Sequence, residues 1–148
     1  MVRFLGIIFI ALILTGIIGF ADYHYGGNFL YNFAQNQSMG IMGTILALNI
    51  ATVTFLLGNL YTIEEKAGKE VFASTKKEVK QNVYFMAGLF LTNLFVLALM
   101  PELNSQASGV QPAFVLSLVS LMLIILIIFA LIEIVQAIFS VSKFISKK

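Results

Sequence analysis

The chain has no cysteine and a single histidine among its 148 residues. The missing thiols exclude disulfides, thiolate metal sites and thiol catalysis. His24 beside Asp22 is too small a donor set for a metal centre. Charge is scarce too: Asp, Glu, Lys and Arg make up 11% of the residues, against about 25% in an ordinary soluble domain. Positive charge is wholly absent from residues 22–38 and 101–111. The chain has no nucleophile paired with a base, no HExxH and no phosphate-cradling glycine loop, so neither an enzyme nor a cofactor is expected.

In place of charge there are long apolar runs. Apolar residues make up 59% of the chain and the mean hydropathy is +0.96. Four stretches, at about 4–21, 39–63, 83–100 and 112–133, match or approach the roughly 20 residues that carry a helix across a 30 Å hydrocarbon core. The longest polar stretch between them, 64–82, is too short for a separate domain. The expected fold is therefore all-α, a single four-helix transmembrane bundle. Arg3 and the sequence Gly19-Phe20-Ala21 loosely fit a signal peptide, but the apolar run exceeds a usual h-region and retention is expected.

The nine basic residues segregate. Arg3 precedes the first span, Lys66, Lys69, Lys76, Lys77 and Lys80 lie between the second and third, and Lys143, Lys147 and Lys148 follow the fourth. The positive-inside rule then puts both termini and the 64–82 segment in the cytoplasm. Eight of the nine are lysine, which points to a bacterial genome; the expected location is the inner membrane. Four of the seven acids share the middle segment with five lysines. The net +2 is thus read as a topology signal in contact with anionic lipid, with no direct role for nucleic acid.

The second span is the most patterned. At about 100° per residue, Gly40, Gly43, Ala47, Ala51, Thr54 and Gly58 share one narrow face, the signature of close helix packing in lipid. Beside it runs a polar arc of Thr44, Asn49, Thr52, Asn59 and Thr62. The third span carries Gly88, Thr92 and Asn93, and the first carries Ala11, Thr15 and Gly19. These polar groups either glue the bundle or, with Asn49, Asn59, Asn93 and Glu133, line a hydrated path. Glu133 itself reads as an interfacial carboxylate or as a proton or ion site. The fourth span is nearly pure Leu, Ile, Val, Phe and Met and suits a lipid-facing position. Past Glu133 it becomes an amphipathic tail, 133–148, with Gln136, Ser140, Lys143 and Lys147 opposite Val135, Ile138, Phe139, Phe144 and Ile145.

Segment 64–82 reads as a helical hairpin. Glu65–Lys69 and Lys66–Glu70 are opposite charges at helical spacing. Thr75 and Glu78 fit a capping box, which puts the turn near 72–74. Val71 and Phe72 at its tip either pack on the tail or form a docking knob for a cytosolic partner. Glu65, Lys69, Lys76, Lys77, Lys80, Lys143 and Lys147 complete that candidate surface. The aromatic loop 22–38, with Tyr23, Tyr25, Phe29, Tyr31 and Phe33, reads as an interfacial belt or as a re-entrant cap.

The run Ala51-Thr-Val-Thr-Phe-Leu-Leu-Gly-Asn-Leu60, followed by a charged segment from Glu64 to Asn82, resembles the KwaA family, the membrane subunits of the bacterial Kiwa anti-phage system. More weakly it resembles RexB-type phage-exclusion proteins, whose second span ends in a similar Thr-Phe-Leu-Ile-Gly run. The resemblance covers roughly residues 39–100. It implies a membrane homo-oligomer that detects phage attack and acts with a cytosolic DNA-binding partner of the KwaB kind. The expected function is a non-enzymatic sensor or scaffold of anti-phage defence. A small oligomeric ion channel and a toxin or colicin immunity protein are the alternatives.

Overall fold

The computed structural model describes residues 2–68, 70–102 and 110–145. Among them every regular element is helical: α1 (Val2–His24), α2 (Phe29–Asn36), α3 (Ser38–Ala67), α4 (Ala73–Ala98) and α5 (Pro112–Ile145). Four of these, all but α2, are long and apolar enough to cross a membrane. Lys69 and Lys147 lie outside the described residues.

The centre of the bundle is α5. Each of the other four helices packs against it, and its buried face runs from Ala113 through Ser117, Ser120, Ile124, Ile127 and Ala130 to Ile134 and Val141. This overturns the expectation that the most apolar span faces lipid. An all-round apolar helix is at home in lipid or in a packed interior, and its composition does not choose between them. Position is decided by which helix has neighbours on most sides. The other three long helices are more exposed than α5; in α1, Leu5, Phe9, Leu12, Ile13 and Ile17 point outward. Ala11, Thr15 and Gly19 form its buried seam, and a Cβ on Gly19 would have to displace the Leu118 side chain of α5.

A single rod, α5 continues without a break through the part of the expected tail that is described, 133–145. There Ile134, Ile138 and Val141 join Val53, Leu56, Leu60, Phe72 and Val79 in one apolar cluster. Val135 and Phe139, expected on the packed side, are exposed. Of the stripe assigned from sequence Ile138 packs, and Ile134 and Val141 complete the buried face. Glu133 is also exposed. It sits 21 residues past Pro112, about 32 Å along the helix, which is the depth of the far boundary of a 30 Å core.

The segment between α1 and α3 is a built cap rather than a bare loop. The Asp22 carboxylate accepts hydrogen bonds from the Phe29 and Leu30 amides (3.1 and 3.2 Å) and satisfies the open N-terminus of α2. Leu30 and Ala34 bury the inner side of α2, while Tyr23, Tyr25 and Phe29 remain exposed.

Candidate functional site

Two sets of polar residues stand out: a charged knot where α3 turns into α4, and asparagine rungs inside the bundle. The knot starts with the end of α3. Gly68, at φ +62°, adopts the left-handed conformation that closes the helix, and α4 opens at Ala73 with Phe72 as N-cap. The chain thus leaves α3 at Gly68 and enters α4 at Phe72, ahead of the expected turn at 72–74, and Thr75 lies inside the first turn of α4 with no capping role.

Glu64 replaces that cap. Its Oε1 accepts from the Val71 amide (3.0 Å) and the Phe72 amide (2.6 Å), and its Oε2 pairs with Lys76 Nζ at 2.7 Å. A carboxylate from the preceding helix thus satisfies the amides entering α4 and interacts favourably with the positive end of its dipole. Lys76 Nζ also reaches Glu70 Oε1 at 3.1 Å and lies 4.6 Å from the centre of the Tyr61 ring. Glu70 is thereby committed to Lys76, not to the expected Lys66. Both Glu64 and Lys76 are buried. Both lie past the first 20 residues counted from the other end of their helices, outside a 30 Å span. The Lys76 ammonium, then the Phe72 amide, hold the Glu64 carboxyl below its ordinary range, and the Glu64 contact raises Lys76.

Two residues of the expected docking surface are buried. Phe72 is 7% exposed and belongs to the cluster with Ile134 and Val141; Lys76 is 8% exposed and fully engaged. Neither is available to a partner. Val71, Glu65, Lys77 and Lys80 are exposed. Lys143 lies within α5.

Inside the bundle, α3 and α4 run antiparallel and meet at two polar rungs. At the first, Asn49 Nδ2 donates to Asn82 Oδ1 (3.3 Å) and Met86 Sδ (2.6 Å), while Asn82 Nδ2 donates to the Ala130 carbonyl of α5 (3.0 Å). At the second, Asn93 Nδ2 donates to Ser38 Oγ (3.4 Å) and meets Met39 Sδ (3.7 Å). The rungs are eleven residues apart on both helices, about 16 Å, and the apolar cluster around Met42, Met86 and Ile127 lies alongside them. Asn49 and Asn93 are fully buried, each with an unpartnered Oδ1. Asn59, by contrast, is exposed, as is Glu133. The four residues of the expected polar path do not converge within the single chain. The threonine hydroxyls of Thr44, Thr52, Thr54, Thr62 and Thr92 bond back to carbonyls of their own helices.

The small-residue face of α3 takes no part in this packing. Gly40, Ala47, Ala51, Thr54 and Gly58 are exposed. A Cβ at Gly40 or Gly58 would meet nothing within 4 Å, and one at Gly43 only the Phe90 ring at 3.8 Å. Within the single chain this face is left open.

Sequence reasoning passed over Glu64 and Asn82. Asn82 was legible: Val79, Asn82, Met86 and Asn93 recur at three-, four- and seven-residue steps on one face of α4. Glu64 had no such signal, because its partners lie across a turn whose position depends on Gly68. No family model matches the chain, nor does any curated protein or solved structure.

Proposed function

We propose that this protein is a four-span scaffold or sensor of the bacterial inner membrane, serving anti-phage defence without chemistry of its own. Its termini and the α3–α4 turn face the cytoplasm, as the segregation of nine basic residues implies. Copies assemble through the small-residue face of α3, and the assembly recruits a cytosolic DNA-binding effector. The observation that carries the reading is the α3–α4 turn, locked by Glu64, Lys76 and Glu70. A buried ionic knot at the end of a membrane helix pair makes a rigid platform, and Val71 at its tip is half exposed and unclaimed by the core. The resemblance of residues 39–100 to KwaA-like proteins supplies the defence context and the kind of partner.

Gentle detergent extraction of the tagged protein from its native host, followed by mass spectrometry, tests this. A stoichiometric cytosolic protein, lost when Val71 and Glu65 are changed to Ser, is the expected result. A homo-oligomer alone would remove the recruitment role. The second reading is a pore between protomers. It draws on Asn59, an exposed amide near the end of the α3 span, and predicts ion flux in liposomes from the purified protein.

A further inference from the structure

We propose that the outer face of α4 binds an anionic phospholipid, with Lys77 and Lys80 taking the headgroup phosphate and Tyr84 the glycerol level. At 100° per residue, Lys77, Lys80, Tyr84, Gly88, Leu91 and Phe95 lie within one 80° arc. All six are exposed, Tyr84 by 77% and Phe95 by 67%. Read along the helix, the order is two cations, a phenol, a notch and an apolar ridge. A phospholipid presents the complementary order of phosphate, ester region and acyl chain. Gly88 leaves the middle of this face unfilled: a Cβ there would meet nothing within 4 Å.

Charge and depth both select lipid. Lys76, the third lysine of this segment, is consumed by Glu64 and Glu70, whereas Lys77 and Lys80 join no ion pair among the described residues. The neighbouring carboxylate of α4, Glu78, projects about 100° away from Lys77. Glu133 of α5, exposed at a similar depth, pairs with neither lysine. Lys80 lies 18 residues before Ala98, about 27 Å, which sets both lysines at the edge of a 30 Å core. A cytosolic acidic protein could meet the lysines but not the ridge from Tyr84 to Phe95, which lies below headgroup level. The inference rests on the membrane-spanning reading, with the lysine-bearing end at the anionic leaflet.

The chain has no tryptophan, so Tyr84→Trp in the full-length protein creates a single reporter at the site. The protein is reconstituted in phosphatidylcholine vesicles containing a fixed fraction of brominated phosphatidylglycerol or, separately, brominated phosphatidylcholine. Quenching of the indole is expected to show a preference for phosphatidylglycerol of about 5-fold to 30-fold, the scale of one to two lysines at an anionic surface. The preference should vanish in Lys77→Gln/Lys80→Gln and persist in Lys77→Arg/Lys80→Arg and Lys66→Gln. Equal quenching by the two lipids, or a preference unchanged by the glutamines, overturns the site. Loss of the preference in millimolar inorganic phosphate identifies a free-anion site and also overturns it. Absence of quenching by either lipid instead refutes the spanning reading on which the site depends.

Discussion

Burial alone would rank Asn49 above Asn82 in importance, yet the hydrogen-bond geometry predicts the reverse. Asn49 is fully buried and its Oδ1 has no partner, so the wild-type fold already carries an unsatisfied acceptor there. Replacing Asn49 with Ala removes that acceptor along with the 3.3 Å bond to Asn82, and Asn82 keeps its bond to Ala130. The expected cost is about 1 kcal/mol. Replacing Asn82 with Ala breaks the link to α5 and leaves the buried Asn49 amide with only the Met86 sulfur. Stranding a buried polar group adds to the lost bond, and about 2 kcal/mol is expected. The coupling in the double mutant should be about 0.6 kcal/mol and no more than about 1.7, the scale of hydrogen bonds between membrane helices. Reversible unfolding in mixed micelles, followed by far-ultraviolet circular dichroism, measures all three variants. A larger loss for Asn49→Ala than for Asn82→Ala, or a coupling of zero, would refute the reasoning.

Three further outcomes follow from the packing and the knot. Ile127→Ala in the centre of α5, fully buried, should cost about 2–4 kcal/mol, while Ile128→Ala, 41% exposed, should cost under about 0.5 kcal/mol; equal costs in the same unfolding assay would deny α5 its central place. Gly58→Leu should leave protomer stability unchanged, because nothing lies within 4 Å of its Cβ, yet dissociate the proposed oligomer in detergent sizing; Gly19→Leu, aimed into Leu118, should instead destabilise the protomer. Because the Glu64 carboxyl is held below its ordinary value of 4.5, its contribution is present above that pH and fades as pH falls through the lowered value. Lys76, raised from 10.5, contributes below that pH and its share fades as pH rises through the raised value. Amide exchange at Val71 and Phe72 should therefore accelerate, beyond its intrinsic pH dependence, at both extremes; Glu64→Gln should abolish the acid limb, and an unchanged acid limb would contradict the capping role.

Length, composition and charge order were enough to determine that this chain is helical and that four of its helices can span a membrane, because a run of about 20 apolar residues has few other stable fates. The α1 seam of Ala11, Thr15 and Gly19 was legible for the same kind of reason: small residues at four-residue spacing mark close approach. Tertiary structure alone decided the rest. In lipid the hydrophobic effect does not sort helices into inside and outside, so nothing in the apolar sequence of α5 announced its central position. Which apolar residues past Glu133 pack depended on where Phe72 and Val79 came to rest. The partner of Glu64 depended on a glycine turn that brings two helix ends together, and the asparagine rungs on the antiparallel register of α3 and α4. Periodicity reports the face on which a residue lies; only the assembled bundle determines what that face meets.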